Sequence, residues 1–142
     1  MSPGRHRLVN PEELGAPKGY SNGVVAAAGS RLLFVSGQVG WDEEQRLVSE
    51  DFVAQFDRAL ANVLAVVAAA GGEAADVVRL TLYVKDRHLY LGRLAELGAA
   101  YRARMGRHFP AMTLVEVSGL LEEGAEVEIE ATAALPPAAE AR

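Results

Sequence analysis

The chain has 142 residues, half of them hydrophobic, enough to bury the core of one ordinary domain without disulfides or bound metal. Fourteen Lys and Arg against nineteen Asp and Glu give a net charge of -5, with no basic block able to track a phosphate backbone, so nucleic acid is not an expected partner. Cysteine is absent, which excludes disulfide scaffolds, thiolate metal centres and thiol nucleophiles.

Residues 1–19 carry three prolines among glycines and charges and read as an irregular arm, ahead of a single domain over 20–136 and a tail at 137–142. The arm has no apolar stretch of signal-peptide length, and no apolar run approaches the ~20 residues of a membrane span, so a cytoplasmic protein without a membrane partner is expected. Gly23 to Ala28 and Arg31 to Val35 are small or β-branched and apolar, and Gly29-Ser30 between them predicts a hairpin of two antiparallel strands. Ser49 is a good N-cap for a helix over 49–71, whose apolar stripe is Phe52, Phe56, Leu60, Val63 and Val67 and whose end is marked by Gly71-Gly72. Asp76 to Val84 reads as a strand. A second helix over 90–105 follows from Tyr90, Leu94, Leu97, Tyr101 and Met105, closed by Gly106. Met112 to Val117 and Glu126 to Ala133 alternate as strands.

The order β-β-α-β-α-β-β predicts an α/β (α+β) domain in which one mixed sheet carries both helices on one face. In the last strand Val127, Ile129, Ala131 and Ala133 share one side, while Glu126, Glu128, Glu130 and Thr132 share the other. No helix remains for that second side, and a homo-oligomer is the economical way to cover it.

GYSNGV at 19–24, FVSGQVGWD at 34–42, the helix DRALANVLAVVAAAGG at 57–72, VVRLTLYVKD at 77–86, FPAMTLVEV at 109–117 and VEIEATA at 127–133 occur in this order. Together, over Tyr20 to Leu135, they resemble the Rid (YjgF) family. The resemblance implies a chorismate-mutase-like fold and a homotrimer whose sheets line a central barrel. It also implies three clefts between neighbouring subunits, where reactive enamines or imines of small metabolites are hydrolysed without metal or cofactor. In deaminating members an arginine of a PARS-type segment anchors the substrate carboxylate; here that position is Met112, which carries no charge to hold one. The substrate is therefore expected to differ from 2-aminoacrylate.

The resemblance assigns Tyr20, Ser36 and Glu128 to the site. A carboxyl group in a partly dry cleft, its pKa raised by desolvation, can deliver water to an imine carbon and a proton to the departing nitrogen, which is the role expected of Glu128. Ser36 and Tyr20 offer hydroxyls to orient water or nitrogen, and the amides near Gly37 and Thr113 offer donors to an anionic oxygen. The plainer readings are a solvated glutamate row for Glu128, a strand-end hydrogen bond for Ser36, a closed interface for Tyr20 and a core contact for Met112. Trp41 either walls the cleft or caps the core. His108 and Arg107 are the nearest candidates to replace the missing cation, or else exposed loop residues. His6, His88 and His108 lack the spacing of a local metal site, and no metal is expected. Two function classes stand: a hydrolase acting on C–N bonds, and a non-catalytic trimer that binds a metabolite or partners another enzyme. A ribonuclease activity, a label some relatives carry, is disfavoured by the acidic charge.

Overall fold

Alternation in the last strand sets the architecture, because a strand with one apolar and one polar side must lie between a core and an open face. The computed structural model describes residues 5–138. Strands β1 (Arg7–Val9), β2 (Gly23–Val25) and β3 (Arg31–Gln38) precede helix α1 (Phe52–Ala69) and strand β4 (Val77–Val84). Helices α2 (Arg87–Leu91) and α3 (Leu94–Met105) follow, then strands β5 (Ala111–Glu116) and β6 (Val127–Leu135). One sheet runs in the order β3-β6-β4-β5, antiparallel except for the parallel pair β4/β5. Helices α1 and α3 pack together over one face of it, as the order of elements predicts.

Phe52, Phe56, Leu60, Val63 and Val67 of α1 are all buried, together with Leu97, Tyr101 and Met105 of α3 and Val127, Ile129, Ala131 and Ala133 of β6. Among the described residues α1 is the one helix long and apolar enough to cross a membrane; its apolar stripe is packed on the sheet. Leu60 is 1% exposed at the centre of this layer. Leu60→Ala is expected to cost ~2–5 kcal/mol in urea unfolding, the sum of lost transfer energy and the cavity left behind. A cost below ~0.5 kcal/mol would put the core on another face of α1.

Four local features differ from expectation. Gly29 does turn the chain, with φ of 78° and the Ser30 amide donating to the Ala27 carbonyl (3.2 Å), but no hairpin forms there. Instead β2 pairs with β1, and β3 pairs with β6, whose small residues Ala131, Ala133 and Ala134 are buried against it. The N-terminal arm is thus not irregular: it supplies β1 and a 3-10 turn at Glu12–Leu14, and the Asn10 side chain accepts from the Asn22 amide (2.7 Å). Asp51, not Ser49, caps α1 by accepting from the Ala54 amide (3.0 Å), while Ser49 accepts from the Asp51 amide. The second helix is broken in two, because Asp86 caps an early turn through the His88 amide (2.8 Å) and Gly92 ends it. Arg93 then starts α3, its guanidinium held by Glu96 and by Asp51 of α1.

His6 anchors the arm from a buried position. Its Nδ1 accepts from the Ala27 amide (2.9 Å), which leaves Nε2–H to donate to the Ala134 carbonyl (3.0 Å), and Asp76 lies 3.7 Å away. Burial first, and then the neighbouring Arg5 charge, lower its pKa from 6.5. The unfolded chain therefore binds a proton that the native state resists. The stability that depends on neutral His6 is complete above pH 6.5 and is lost as pH falls toward the depressed native pKa. Melting temperature is expected to fall with acidification in that window, less steeply in His6→Gln than in the wild type.

Candidate functional site

Ser36 and Gly37 sit in a bulge of β3, two residues set against one on β6 between the pairs Val35↔Ala131 and Gln38↔Ile129. The extra residue turns the strand locally and aims both residues at the open face of the sheet. The Glu128 carboxylate lies directly against Gly37, where a Cβ would force that side chain to turn aside. Ser36 Oγ accepts from Gln38 Nε2 (3.3 Å) and is otherwise exposed. On the same face Tyr83 lies opposite Glu128 in register, and its hydroxyl donates to Glu130 Oε1 (2.5 Å). That hydrogen bond is the main reason the Tyr83 pKa is raised. Ser36, Gly37, Glu128, Glu130 and Tyr83 thus form one polar cluster, beside Phe34 at 73% exposure and Leu32 at 60%.

Met112 lies elsewhere. It pairs with Leu80, and strand alternation places it on the helix side of the sheet, against the core and away from Glu128. Its strand is two positions from β6, roughly 10 Å at the usual strand spacing. Around it is a cavity of about 320 Å³ between α3 and the sheet, lined by Leu80, Tyr90, Leu94, Leu97, Phe109 and Met112. Lys18, Gly19 and Arg102 stand at its mouth. Tyr20 is next in the chain, 39% exposed, and is fixed beside β5 because Ser21 donates through its amide to Pro110 (3.0 Å) and through its hydroxyl to Phe109. Thr113 faces the open side, paired with Thr81.

The remaining candidates fall outside both clusters. His108 is committed to the fold: its ring nitrogen Nε2 is 2.6 Å from the Val77 carbonyl, and its own carbonyl accepts from Tyr101 (2.7 Å). Arg107 is exposed and does not line the cavity. Trp41 walls a separate shallow polar cleft with Gln38, Asp42, Arg58 and Asn62, where Asn62 Nδ2 donates to the Trp41 carbonyl (2.9 Å). No group of three or more metal-ligating side chains occurs among the described residues. Sequence reasoning missed Tyr83, Lys18 and Arg102. The pattern Leu94, Gly98, Arg102, at i, i+4 and i+8, was the available signal for the last.

These features define a small α+β domain with an acidic, hydroxyl-bearing open sheet face and an apolar cavity on the helix side. The chain belongs to the Rid family: the family model described as Endoribonuclease L-PSP matches residues 11–135. It is 39% identical over 105 residues to the 2-iminobutanoate/2-iminopropanoate deaminase of Salmonella typhimurium, covering 72% of this chain and 78% of that one. The Myxococcus xanthus protein DfrA is also 39% identical, over 126 residues, 83% of this chain and 88% of that one. A Rid-family structure from Yersinia pestis superposes with a TM-score of 0.81 at 34% identity, covering 92% of this chain and 99% of that one.

Proposed function

We propose that the protein is a homotrimer that hydrolyses an enamine or imine of a small metabolite, in clefts where the open face of one copy meets the helix-side cavity of the next. The observation that carries this reading is the separation of the two half-sites. Glu128 and Met112 point to opposite faces of one sheet, so a single ligand reaches both only across two copies. Exposure of Leu32 and Phe34 on an edge strand supports such an assembly, since apolar side chains on an open face favour a covering surface.

In the reaction, water adds to the C=N carbon while Glu128 accepts its proton. The carboxyl group returns that proton to the nitrogen to give a carbinolamine, and it then passes the carbinolamine's hydroxyl proton to the amine as the C–N bond breaks, so that ammonia leaves a carbonyl product. Ser36 and Tyr83 orient the water or the nitrogen, and the absence of a side chain at Gly37 leaves room for the carboxylate. Met112 stands where the resemblance puts a substrate-binding arginine, so the substrate differs from 2-aminoacrylate. The second reading, a binding or partner trimer without chemistry, draws on the same apolar surroundings of Met112.

The test is ammonia release from imines made in situ by an amino-acid oxidase from leucine or phenylalanine, compared with 2-aminoacrylate made by a dehydratase. Acceleration of these imino acids, which share the carboxylate of 2-aminoacrylate but carry a bulky apolar tail, well above spontaneous hydrolysis and with little on 2-aminoacrylate, is expected. No acceleration on any of them would favour the binding module.

A further inference from the structure

We propose that helix α1 sets the geometry of the open-face cluster from behind the sheet, with Gln55 as the positioning residue for Glu128 and Asn62 as the positioning residue for the Ser36-Gly37 bulge. Gln55 lies in the apolar stripe of α1 beside Phe52, Phe56 and Ala59 and is 0% exposed. An amide buried there is costly unless it is hydrogen-bonded, and this one is. Its Nε2 donates to the Ser49 carbonyl (2.9 Å) and to the Gly124 carbonyl (3.1 Å), and its Oε1 accepts from the Glu126 amide (2.8 Å). Two carbonyls and one N–H as partners fix which end of the side chain points where. The clamp therefore holds the turn that enters β6, two residues before Glu128.

Asn62 stands seven residues further along α1, two turns away and on nearly the same side of the helix. Its Nδ2 donates to the Val39 carbonyl (3.1 Å) and the Trp41 carbonyl (2.9 Å), while its Oδ1 accepts from Arg58 (3.2 Å). Gly40, between those two carbonyls, rests on the helix itself: a Cβ there would stand 2.7 Å from Gln55 Cα, which is backbone and cannot turn aside. The segment that leaves β3 just after the bulge and the segment that enters β6 just before Glu128 are thus fastened to one helix.

The sheet alone does not fix their spacing. Pairing between β3 and β6 is interrupted at Ser36-Gly37 and ends at Gln38↔Ile129, so Glu128 has no partner in register on β3 and is held by β4, opposite Tyr83. A bulged strand bends and twists locally, which leaves the distance from Ser36 to the Glu128 carboxylate to be set by what holds the two segments from outside the ladder. Gln55 and Asn62 do so from the helix layer without touching the cluster.

This inference deepens the proposed hydrolysis and rests on it for its kinetic arm; a second arm does not need the chemistry. The first compares ammonia-release kinetics, well below the melting temperature, in Gln55→Met, Asn62→Ala and the control Val67→Ala, a buried core truncation at the far end of α1. In Gln55→Met kcat is expected to fall ~10–100-fold with KM within about twofold of the wild type, the signature of a misplaced reacting group. Asn62→Ala should lose kcat in the same way but less, and Val67→Ala should lower the melting temperature and keep kcat. The second arm is amide hydrogen exchange read by NMR over residues 36–38 and 127–129, expected to quicken in both clamp variants and not in Val67→Ala. Wild-type kcat in both clamp variants, an equal loss of kcat in Val67→Ala, or unchanged exchange in the clamp variants would each overturn the proposal. A wild type that hydrolyses no imine would sink the proposed hydrolysis instead, and the exchange result alone would then uphold or overturn the clamps. Should Gln55→Met not fold, Asn62→Ala, at a half-buried position, decides by the same criteria.

Discussion

Glu128→Gln is expected to slow ammonia release from the preferred imine by ~10²–10⁴-fold, the usual range for loss of a general acid–base group. The amide fills the same space beside Gly37 and keeps the strand register, but it cannot take a proton from water and return it to nitrogen. Melting temperature and oligomer mass should therefore stay as in the wild type. Glu130→Gln is the informative control, because Glu130 is engaged by the Tyr83 hydroxyl and its loss should cost much less. Stopped-flow assay of both variants checks the assignment. A Glu128→Gln rate within a few-fold of wild type would remove this residue from the chemistry.

Met112→Arg is expected to destabilise the protein by roughly 2–4 kcal/mol without creating turnover of 2-aminoacrylate. The new guanidinium would project among Leu80, Tyr90, Leu97 and Phe109, where no carboxylate lies, and toward Lys18 and Arg102, which repel it. In a cleft with polar walls the same arginine would grip a carboxylate by two parallel hydrogen bonds. Here the walls are apolar, and partial exposure of the site lowers the cost without supplying a partner. Thermal unfolding and the coupled dehydratase assay, run on both proteins, read the two effects. A stable variant that rapidly consumes 2-aminoacrylate would show that the cavity is an unmodified carboxylate site.

The sheet and its helices were legible in the sequence because their signals are periodic. The stripe from Phe52 to Val67 and the alternation from Val127 to Ala133 each point one face inward, and the structure buries those faces. The N-terminal half was less legible. Gly29-Ser30 does make a turn, but pairing depends on which distant strand offers a partner, and His6 and β1 are recruited by contacts to Ala27, Ala134 and Gly23–Val25. The break at Gly92-Arg93 is likewise tertiary, since Arg93 reaches Asp51 on another helix. For the candidate site, family motifs singled out Ser36, Gly37 and Glu128, and the bulge at Ser36-Gly37 brings Gly37 against the Glu128 carboxylate. They gave no warning that Met112 faces the other way, because side is fixed by register: Met112 pairs with Leu80 and Thr113 with Thr81. Arg102 went unnoticed because no motif includes it, and only the cavity shows what it lies beside.

Subunit mixing tests most directly whether Glu128 of one copy acts on a ligand held in the cavity of another. Leu94→Asp places a charge in the cavity wall at the exposed first turn of α3, where an acidic residue suits the helix dipole and folding is preserved. Leu94→Asp and Glu128→Gln should each be inactive alone. When equal amounts are dissociated and reassembled together, about one cleft in four joins an intact cavity to an intact Glu128 from its neighbour, so about a quarter of wild-type ammonia release should return. Absence of any recovery from correctly assembled mixed oligomers would contradict a site shared between copies.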